Sequence, residues 1–256
     1  MAHYVLILAG GQGTRLNNSK YPKQFLKIGN KPMLMHSIKT FKETCPDSKI
    51  YVGLQEKDHL AWLSLCKKYN FNIDHKLYLA GNERFETVFA GLNTLFDDFG
   101  LKKAIVSIHD SARPFIDSHL ITDLLQPFEE INVKSTIPVI GLKNAILDCS
   151  SSKKKSLDRN NYLLCQTPQC FNFIDIFNSY KNIMIKIESE NNIIKNAIKV
   201  NLLKDKLHDD LAIFSRYYPN KQHIKLVQGR EHNIKITNDL DYFISEKIND
   251  FVKTIE

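Results

Sequence analysis

The chain has 256 residues, of which 43% are hydrophobic and 25% charged, a composition that is typical of a globular protein and excludes a disordered one. Lysine and arginine outnumber aspartate and glutamate by 35 to 28, and the net charge of +7 favours anionic partners such as nucleic acid, nucleotides or sugar phosphates. The apolar runs are too short for a membrane helix, no secretory signal is visible, and five cysteines without a CxxC pair point to a cytoplasmic protein with neither a disulfide framework nor a structural zinc site.

Apolar runs alternate with amphipathic stretches along the first 140 residues. The first run, residues 4–8, is apolar at every position, which is typical of a strand buried on both faces of a parallel sheet. Similar strands are predicted over residues 50–54, 104–108 and 135–139, and helices over residues 32–44, 58–69, 83–96 and 117–130. This alternation predicts a doubly wound, mostly parallel α/β sheet. Because ligands of such sheets bind beyond the carboxyl ends of the strands, we expect the loops 9–15 and 109–114 at one edge.

The pattern changes after residue 140. Residues 141–166 contain a polar, basic run from Ser150 to Lys155 without a helical period, which predicts an excursion such as a hairpin with a solvated tip. The three lysines of this run could also bind nucleic acid, but the lack of interleaved aromatic residues favours a soluble loop. Two later helices, at about 172–187 and 238–254, complete a single domain over residues 1–256.

Glycine is rare, yet three of the ten glycines, Gly10, Gly11 and Gly13, fall within four positions after the first strand. The segment lacks the GxxxxGK[ST] pattern of a Walker A loop, and Leu16 stands where a dinucleotide fingerprint needs its third glycine. Two interpretations remain open: a tight turn, or a row of backbone N–H groups that cradles an anion. Arg15 and the later Lys23 could both reach phosphates held by such a loop.

A second candidate site follows the strand 104–108. Asp110 at a strand's carboxyl end could bind Mg²⁺ beside phosphates, since hard cations prefer oxygen ligands. Arg113 could bind a second phosphate through its planar guanidinium group. The alternative is a local Asp–Arg ion pair, and His109 is interpreted as a structural side chain.

Seven short motifs in order then resemble one family. They are Ala9-Gly10-Gly11-x-Gly13-x-Arg15, Pro22-Lys23-Gln24-Phe25-Leu26, Gly81-x-x-Arg84-x-x-Thr87-Val88-x-x-Gly91-Leu92, His109-Asp110-Ser111-Ala112-Arg113-Pro114, Leu157-Asp158-Arg159, Thr167-Pro168-Gln169-x-Phe171 and Asn233-Ile234-Lys235-Ile236-Thr237. The chain resembles, over nearly its whole length, the cytidylyltransferases that include 2-C-methyl-D-erythritol 4-phosphate cytidylyltransferase and ribitol-5-phosphate cytidylyltransferase. The resemblance implies a Rossmann-like nucleotidyltransferase domain that is Mg²⁺-dependent and uses CTP.

The resemblance also implies a role for each matching residue. The triphosphate would be bound by Gly10, Gly11, Gly13 and Thr14. Cytosine would be read by Ala9, Gly81, Asn82 and Thr87. The transition state would be stabilised by Arg15 and Lys23, with Lys235 as a further catalytic cation. Mg²⁺ would be held by Asp110, and positions around the acceptor phosphate and the α-phosphate would be Arg113, Arg159, Thr167 and Lys235. The excursion at 141–166 matches a protruding arm that embraces a second subunit, which implies a homodimer.

Two departures from the family pattern lie on the acceptor side. Leu142 and His208 each replace a threonine that is common in the family. We expect an enzyme that makes a CDP-alcohol and pyrophosphate from CTP and a small sugar-alcohol phosphate. The loop from Gly10 to Arg15 and Ser111 resemble the pentitol-phosphate members, whereas Gly91-Leu92 and Ala112-Arg113 resemble the methylerythritol members. This places a pentitol phosphate such as ribitol 5-phosphate slightly ahead of 2-C-methyl-D-erythritol 4-phosphate, with another polyol phosphate close behind both. A non-catalytic nucleotide sensor or a nucleic-acid-binding protein is the remote alternative; neither nucleic acid nor a membrane is an expected partner.

Overall fold

The computed structural model describes residues 1–11, 22–191, 207, 209–218 and 223–255. Within these residues the main sheet has eight strands. In chain order they are β1 (Ala2–Leu8), β4 (Lys49–Leu54), β5 (Lys76–Leu79), β6 (Ala104–Asp110), β7 (Ser135–Gly141), β10 (Leu163–Cys165), β11 (Gln169–Asn172) and β12 (Ile224–Gln228). Two small antiparallel pairs, β2 (Lys27–Ile28) with β3 (Lys31–Pro32) and β8 (Ile146–Asp148) with β9 (Lys155–Leu157), lie apart from it.

The sheet is mostly parallel, as predicted. β1 lies between β4 and β6, β5 lies beyond β4, and all three of these pairings are parallel, as is β7 with β12. β11 runs antiparallel between β6 and β7, and β10 is antiparallel to β7. The predicted strands are all present, whereas β5, β10, β11 and β12 were not predicted, because each is short or lacks a continuous apolar run.

Helices cover both faces of the sheet. They are α1 (Met33–Thr44), α2 (Glu56–Lys68), α3 (Arg84–Phe99), α4 (Ser118–Leu125), α5 (Phe173–Asn191), the helix Asp210–Tyr217 and the C-terminal helix Asp239–Ile255. Alternate residues of β1 face opposite cores: Leu6 packs with α3 and α5, and Ile7 packs with α1 and α4. Burial on both faces explains why the first strand is apolar at every position.

The helix predicted over residues 117–130 is shorter in the structure. α4 ends at Leu125 and is followed by a 3₁₀ turn, Gln126–Glu129. Pro127 has no backbone N–H and cannot donate the next helical hydrogen bond, so the α-helix stops before it. The helix Asp210–Tyr217 was not predicted at all; it begins at the N-cap Asp209, whose carboxylate accepts a hydrogen bond from the backbone N–H of Ala212.

The segment 141–166 contains the expected hairpin. β8 and β9 pair with one another and not with the main sheet, and the tip between them is exposed. None of the helices in the described residues combines the length and apolar character that crossing a bilayer requires.

Candidate functional site

A cleft of about 460 Å³ opens at the carboxyl ends of the parallel strands. It is lined by Gly10 and Gly11 after β1, by residues 81–84 and Thr87 after β5, and by residues 110–112 at the end of β6. Leu8 pairs with Asp110 across the sheet, and the N–H of Ser111 donates to the carbonyl of Leu8, 3.1 Å away. The predicted meeting of loops 9–15 and 109–114 at one edge is thus present in their described parts.

Two glycines of the cleft wall make close contacts with neighbouring segments. A Cβ on Gly10 would lie 2.3 Å from the Cβ of Ala80, and a Cβ on Gly81 would lie 2.4 Å from the Cβ of Glu86. No side chain fits at either position: Gly10 lets the loop after β1 lie against Ala80, and Gly81 lets the loop after β5 lie against the first turn of α3. This close approach, not a positive φ, is the reason that glycine is required at both positions.

The loop after β5 leads into a capped helix. Glu83 is the N-cap of α3 and forms a capping box with Glu86, whose carboxylate also accepts from the N–H of Asn82 at 3.0 Å. The hydroxyl of Thr87 donates to the carbonyl of Glu83 at 3.2 Å. The residues predicted to read cytosine at 81, 82 and 87 therefore form one ordered turn in the cleft wall.

Asp110 lies between two cationic side chains in the cleft. Its carboxylate lies 3.1 Å from Nε of Arg84 and 2.7 Å from Nζ of Lys235. Burial alone would raise the pKa of Asp110, but the charges of Arg84 and Lys235 outweigh burial and hold that pKa well below its usual range. The cleft thus holds an ionised carboxylate beside two cations.

Arg84 continues this network into the core. Its Nη1 and Nη2 donate to the two carboxylate oxygens of Asp210 at 3.0 and 2.8 Å, and Asp210 is fully buried. The hydroxyl of Tyr180 donates to the same carboxylate at 2.5 Å. Arg84 therefore bridges two carboxylates with a fixed geometry, which orients Asp110 toward the cleft.

The network contains residues that the sequence analysis did not assign. Arg84 appeared there only as one letter of a motif, and Asp210 and Tyr180 had no role. Arg84 could have been found, because an arginine at the start of a helix beside a predicted phosphate site is a candidate ligand. Asp210 stands in the motif that contains His208, but its pairing with Arg84 could not be predicted, because 126 residues separate the two.

A hydrogen-bond chain fixes the backbone of the loop after β6. The N–H of Asp110 donates to the hydroxyl of Thr167 at 3.1 Å, and that oxygen lies 3.2 Å from Nδ1 of His109. Nε2 of His109 lies 3.0 Å from the carbonyl of Arg113, so it carries the hydrogen, and Thr167 donates to Nδ1. Burial lowers the pKa of His109 to about 4. His109 is accordingly neutral and structural.

The segment 233–237 contributes Lys235 and Thr237 to the cleft. Asn233 is fully buried, donates to the carbonyl of Thr167 at 3.0 Å, and accepts from Nη1 of Arg113 through its own carbonyl at 2.8 Å. The N–H of Ile236 donates to the carbonyl of Ala112 at 2.8 Å. These bonds place the intervening Lys235 against Asp110.

The structure brings eight of the predicted site residues to the cleft and leaves others elsewhere. In the cleft wall are Gly10, Gly11, Lys23, Gly81, Asn82, Thr87, Asp110 and Lys235. Outside the cleft lining, and bonded to other protein groups, are the buried Ala9 and Thr167 and the half-buried Arg113. On the excursion 141–166 are Leu142 and Arg159, the latter bonded to the carbonyl of Lys143. Outside the described residues are Gly13, Thr14, Arg15 and His208.

The side chains around Asp110 fit a Mg²⁺ ion only together with a phosphate ligand. No group of three or more His, Cys, Asp or Glu side chains able to hold a metal occurs in the described part of the chain. Asp110 offers one ionised carboxylate in a cleft that also has cations for phosphate. Mg²⁺ is commonly held in this way, by one or two carboxylates, water and substrate phosphates.

Comparison with known proteins adds an independent finding. The family model described as "2-C-methyl-D-erythritol 4-phosphate cytidylyltransferase" matches residues 3–250. A relative with that name from Azobacteroides pseudotrichonymphae is 30% identical, and the match covers 96% of this chain and 98% of the relative. A second relative with that name, from Bacteroides fragilis, is also 30% identical, and the match covers 97% of this chain and 100% of the relative.

Solved structures show the same fold. The 4-diphosphocytidyl-2C-methyl-D-erythritol synthase of Anaerococcus prevotii has a TM-score of 0.74 at 18% identity and covers 97% of this chain and 98% of its own. The 2-C-methyl-D-erythritol 4-phosphate cytidylyltransferase of Francisella tularensis has a TM-score of 0.72 at 23% identity, and the match covers 97% of this chain and 100% of that chain.

Proposed function

Because the chain belongs to the 2-C-methyl-D-erythritol 4-phosphate cytidylyltransferase family, we propose that it transfers the cytidylyl group of CTP to 2-C-methyl-D-erythritol 4-phosphate. It is a cytidylyltransferase, and the acceptor is the part that we propose. The products would be 4-diphosphocytidyl-2-C-methyl-D-erythritol and pyrophosphate. The observation that carries the proposal is the family match over nearly the whole chain, together with a cleft that has a glycine-rich wall and a carboxylate between two cations.

This proposal reverses our ordering of the acceptors. We expected a pentitol phosphate slightly ahead because the loop from Gly10 to Arg15 and Ser111 after Asp110 resemble the pentitol-phosphate members of the family. The relatives at 30% identity instead have the methylerythritol name, so the alternative acceptor is better supported. An apolar Leu142 is compatible with the methyl branch of that acceptor, whereas it offers no hydrogen bond to an extra hydroxyl.

The chemistry needs no general base. A phosphate monoester has a second pKa near ~6, so the acceptor phosphate is already a nucleophilic anion at neutral pH. Its oxygen would attack the α-phosphorus of CTP, and the bond to the bridging oxygen of pyrophosphate would break. The neutral, fully hydrogen-bonded His109 agrees with a site from which no proton must be removed.

The residues of the cleft would work by positioning and by electrostatic stabilisation. Lys23 and Lys235 line the cleft and would stabilise the negative charge that develops on the phosphates. The backbone of Gly10 and Gly11 would hold the triphosphate, and the turn at Gly81 and Asn82 would hold the base. Mg²⁺, when bound at Asp110 with the substrate phosphates, would neutralise part of their charge.

Release of pyrophosphate from CTP and Mg²⁺ tests the proposal. Steady-state rates should be measured with 2-C-methyl-D-erythritol 4-phosphate and, separately, with ribitol 5-phosphate, and then with UTP, ATP or GTP in place of CTP. We expect kcat/KM for the methylerythritol acceptor to be higher by at least about tenfold, and CTP to be preferred, since unpaired polar groups strongly penalise a mismatched substrate. Equal turnover with a purine nucleotide, or a preference for ribitol 5-phosphate, would refute it.

A further inference from the structure

Gln55 stands at a junction of three loops. β4 lies between β1 and β5 in the sheet, and Gln55 is the first residue after β4. The loops that form the two glycine-containing walls of the cleft begin beside it, after β1 and after β5. A long side chain at this position can reach both neighbours, because adjacent strands in a sheet are only about 5 Å apart.

The amide of Gln55 does reach both loops. Its Nε2 donates to the carbonyl of Gly10 at 3.2 Å and to the carbonyl of Gly81 at 3.0 Å. An amide nitrogen carries two hydrogens, so each carbonyl can receive one of them. Gln55 is also the N-cap of α2, yet its side chain makes no capping hydrogen bond to that helix. The amide thus forms hydrogen bonds to the two loops and none that caps its own helix.

The hydrogen bonds to these two carbonyls fix the orientation of the peptide groups in the cleft wall. In a trans peptide the C=O and the next N–H point in opposite directions. Holding the carbonyl of Gly10 therefore directs the N–H of Gly11 away from Gln55, and Gly11 lines the cleft. The peptide between Gly81 and Asn82 is bound on both sides, by Gln55 at its carbonyl and by Glu86 at its N–H.

Glycine needs such an external restraint. A glycine backbone has more accessible conformations than that of any other residue, and neither Gly10 nor Gly81 can have a side chain, given the close contacts described above. The backbone bonds from Ala9 to Gly53 and from Ala80 to Leu54, both 2.9 Å, extend the strand pairing up to the residue before each glycine. The side chain of Gln55 supplies the next hydrogen bond on each side.

We propose that Gln55 is a positioning residue for CTP: it fixes the two peptide groups of the cleft wall that hold the triphosphate and the base. This inference rests on the proposed function, because it assumes that the two loops bind CTP. Gln55 is not among the described residues that line the cleft and need not touch the nucleotide. Its loss should weaken CTP binding and leave the cations and Asp110, which act on the phosphates, in place.

Two substitutions with one control test the inference. Gln55→Met keeps the length of the side chain but removes both donors, and Gln55→Glu places a carboxylate against two carbonyl oxygens. Gln126→Glu makes the same charge change at an exposed turn outside the cleft. The Kd for CTP is measured by isothermal titration, kcat and both KM values from pyrophosphate release, and the Tm of each variant by thermal unfolding.

We expect Gln55→Met to raise the Kd and KM for CTP by about 5- to 100-fold, the equivalent of two net hydrogen bonds. Gln55→Glu should raise both values further. The Kd and KM for CTP of Gln126→Glu should stay within about twofold of the wild type, and so should the acceptor KM of the Gln55 variants. At saturating CTP, kcat of Gln55→Met should fall by no more than about threefold, a split that a general loss of structure would not produce.

The outcomes separate this inference from the proposed function. A wild-type protein that binds CTP and turns over, beside a Gln55→Met variant with unchanged CTP affinity, would overturn the role of Gln55 alone. A wild-type protein that does not bind CTP would overturn both. If Gln55→Glu does not fold, Gln55→Met still decides, because it adds no charge.

Discussion

The position of Asp110 depends on Arg84, and a lysine cannot replace that arginine. Arg84 contacts Asp110 through Nε and Asp210 through both terminal nitrogens. Lysine would keep the charge but has a single nitrogen that cannot bridge two carboxylates in this way. We expect Arg84→Lys to lower kcat/KM by about 10- to 100-fold, because small displacements of a charged group near the reacting atoms have effects of that size.

The control is Arg216→Lys, an exposed arginine on the same helix as Asp210. Steady-state kinetics with both substrates check the prediction. Asp210→Asn should reproduce most of the loss, since an amide no longer balances the buried charge of Arg84. Wild-type kinetics for Arg84→Lys would mean that the bridge does not position Asp110.

Two lysines of the cleft should act mainly on the transition state. Lys235 contacts Asp110, and Lys23 lines the same cleft. Replacing either by alanine should lower kcat by roughly 10²–10³-fold, the scale for losing one donor to the transition state. CTP affinity should change less, because the backbone N–H groups remain. Lys153→Ala at the exposed hairpin tip is the control, and near-normal kcat in both cleft variants would contradict the assignment.

At the residue level, the sequence indicated which residues line the cleft where the chemistry and the motif lie in one short segment. Asp110, Lys23, Gly10 and Gly11 line it, and each stands in a loop directly after a strand or in a compact motif, whereas their roles stay predictions. Gln55 and Asp210 were missed because what they do depends on partners brought together by the sheet and by helix packing. No local pattern distinguishes Gln55 from any other glutamine at the start of a helix.

At the scale of elements, the hairpin β8–β9 is the clearest case of a segment without a use inside the chain. It makes no pairing with the main sheet, and its Leu147 is 55% exposed. Three further apolar side chains of the segment 141–166 are about half exposed: Tyr162 at 43%, and Leu163 at 48% and Leu164 at 49% in β10 of the main sheet. Apolar side chains exposed together favour a protein partner. We expect this partner to be a second copy of the chain, as the family resemblance implied.

Deleting residues 145–156 should therefore shift a homodimer toward monomer and reduce activity. Sedimentation velocity at micromolar concentration measures the first effect and pyrophosphate release the second. A matched control keeps the hairpin and replaces Lys153, Lys154 and Lys155 by serine, which removes charge but no apolar surface. A wild-type protein that is monomeric under these conditions would contradict the prediction.

The strand pattern explains why the fold class was predictable and part of the topology was not. Parallel strands buried on both faces, such as β1 and β6, are continuous apolar runs and stand out in a sequence. The sequence of β11 is Gln169-Cys170-Phe171-Asn172, which is not a continuous apolar run, yet β11 lies antiparallel between β6 and β7. Its place in the sheet is set by pairing with distant strands, which no local pattern reveals.

At the scale of the whole molecule, buried histidines should make the fold acid-sensitive. The pKa of His109 is lowered by burial to about 4, below its unfolded value of 6.5. Between these values the unfolded chain binds the proton and the folded chain does not, so this contribution to stability is complete above pH 6.5 and is lost as the pH falls. Lowering the pH from 6.5 to about 5 should cost roughly 2 kcal/mol through this residue.

The free energy of unfolding of the wild type and of His109→Asn, measured by urea denaturation across this pH range, checks the prediction. Asparagine does not titrate, so the variant should be less stable at pH 7 and should lose less stability on acidification. An identical pH dependence of the two proteins would show that His109 does not carry the effect.

The central claim is that this cytidylyltransferase acts on 2-C-methyl-D-erythritol 4-phosphate. A direct competition experiment tests it: the wild-type protein, limiting CTP and Mg²⁺ are incubated with equimolar 2-C-methyl-D-erythritol 4-phosphate and ribitol 5-phosphate, and the CDP-linked products are quantified by mass spectrometry. Since both acceptors compete for one site, the product ratio equals the ratio of their kcat/KM values. We predict that the CDP-methylerythritol product exceeds CDP-ribitol by at least about tenfold. An excess of CDP-ribitol, or the absence of both products while CTP is bound, would contradict the claim.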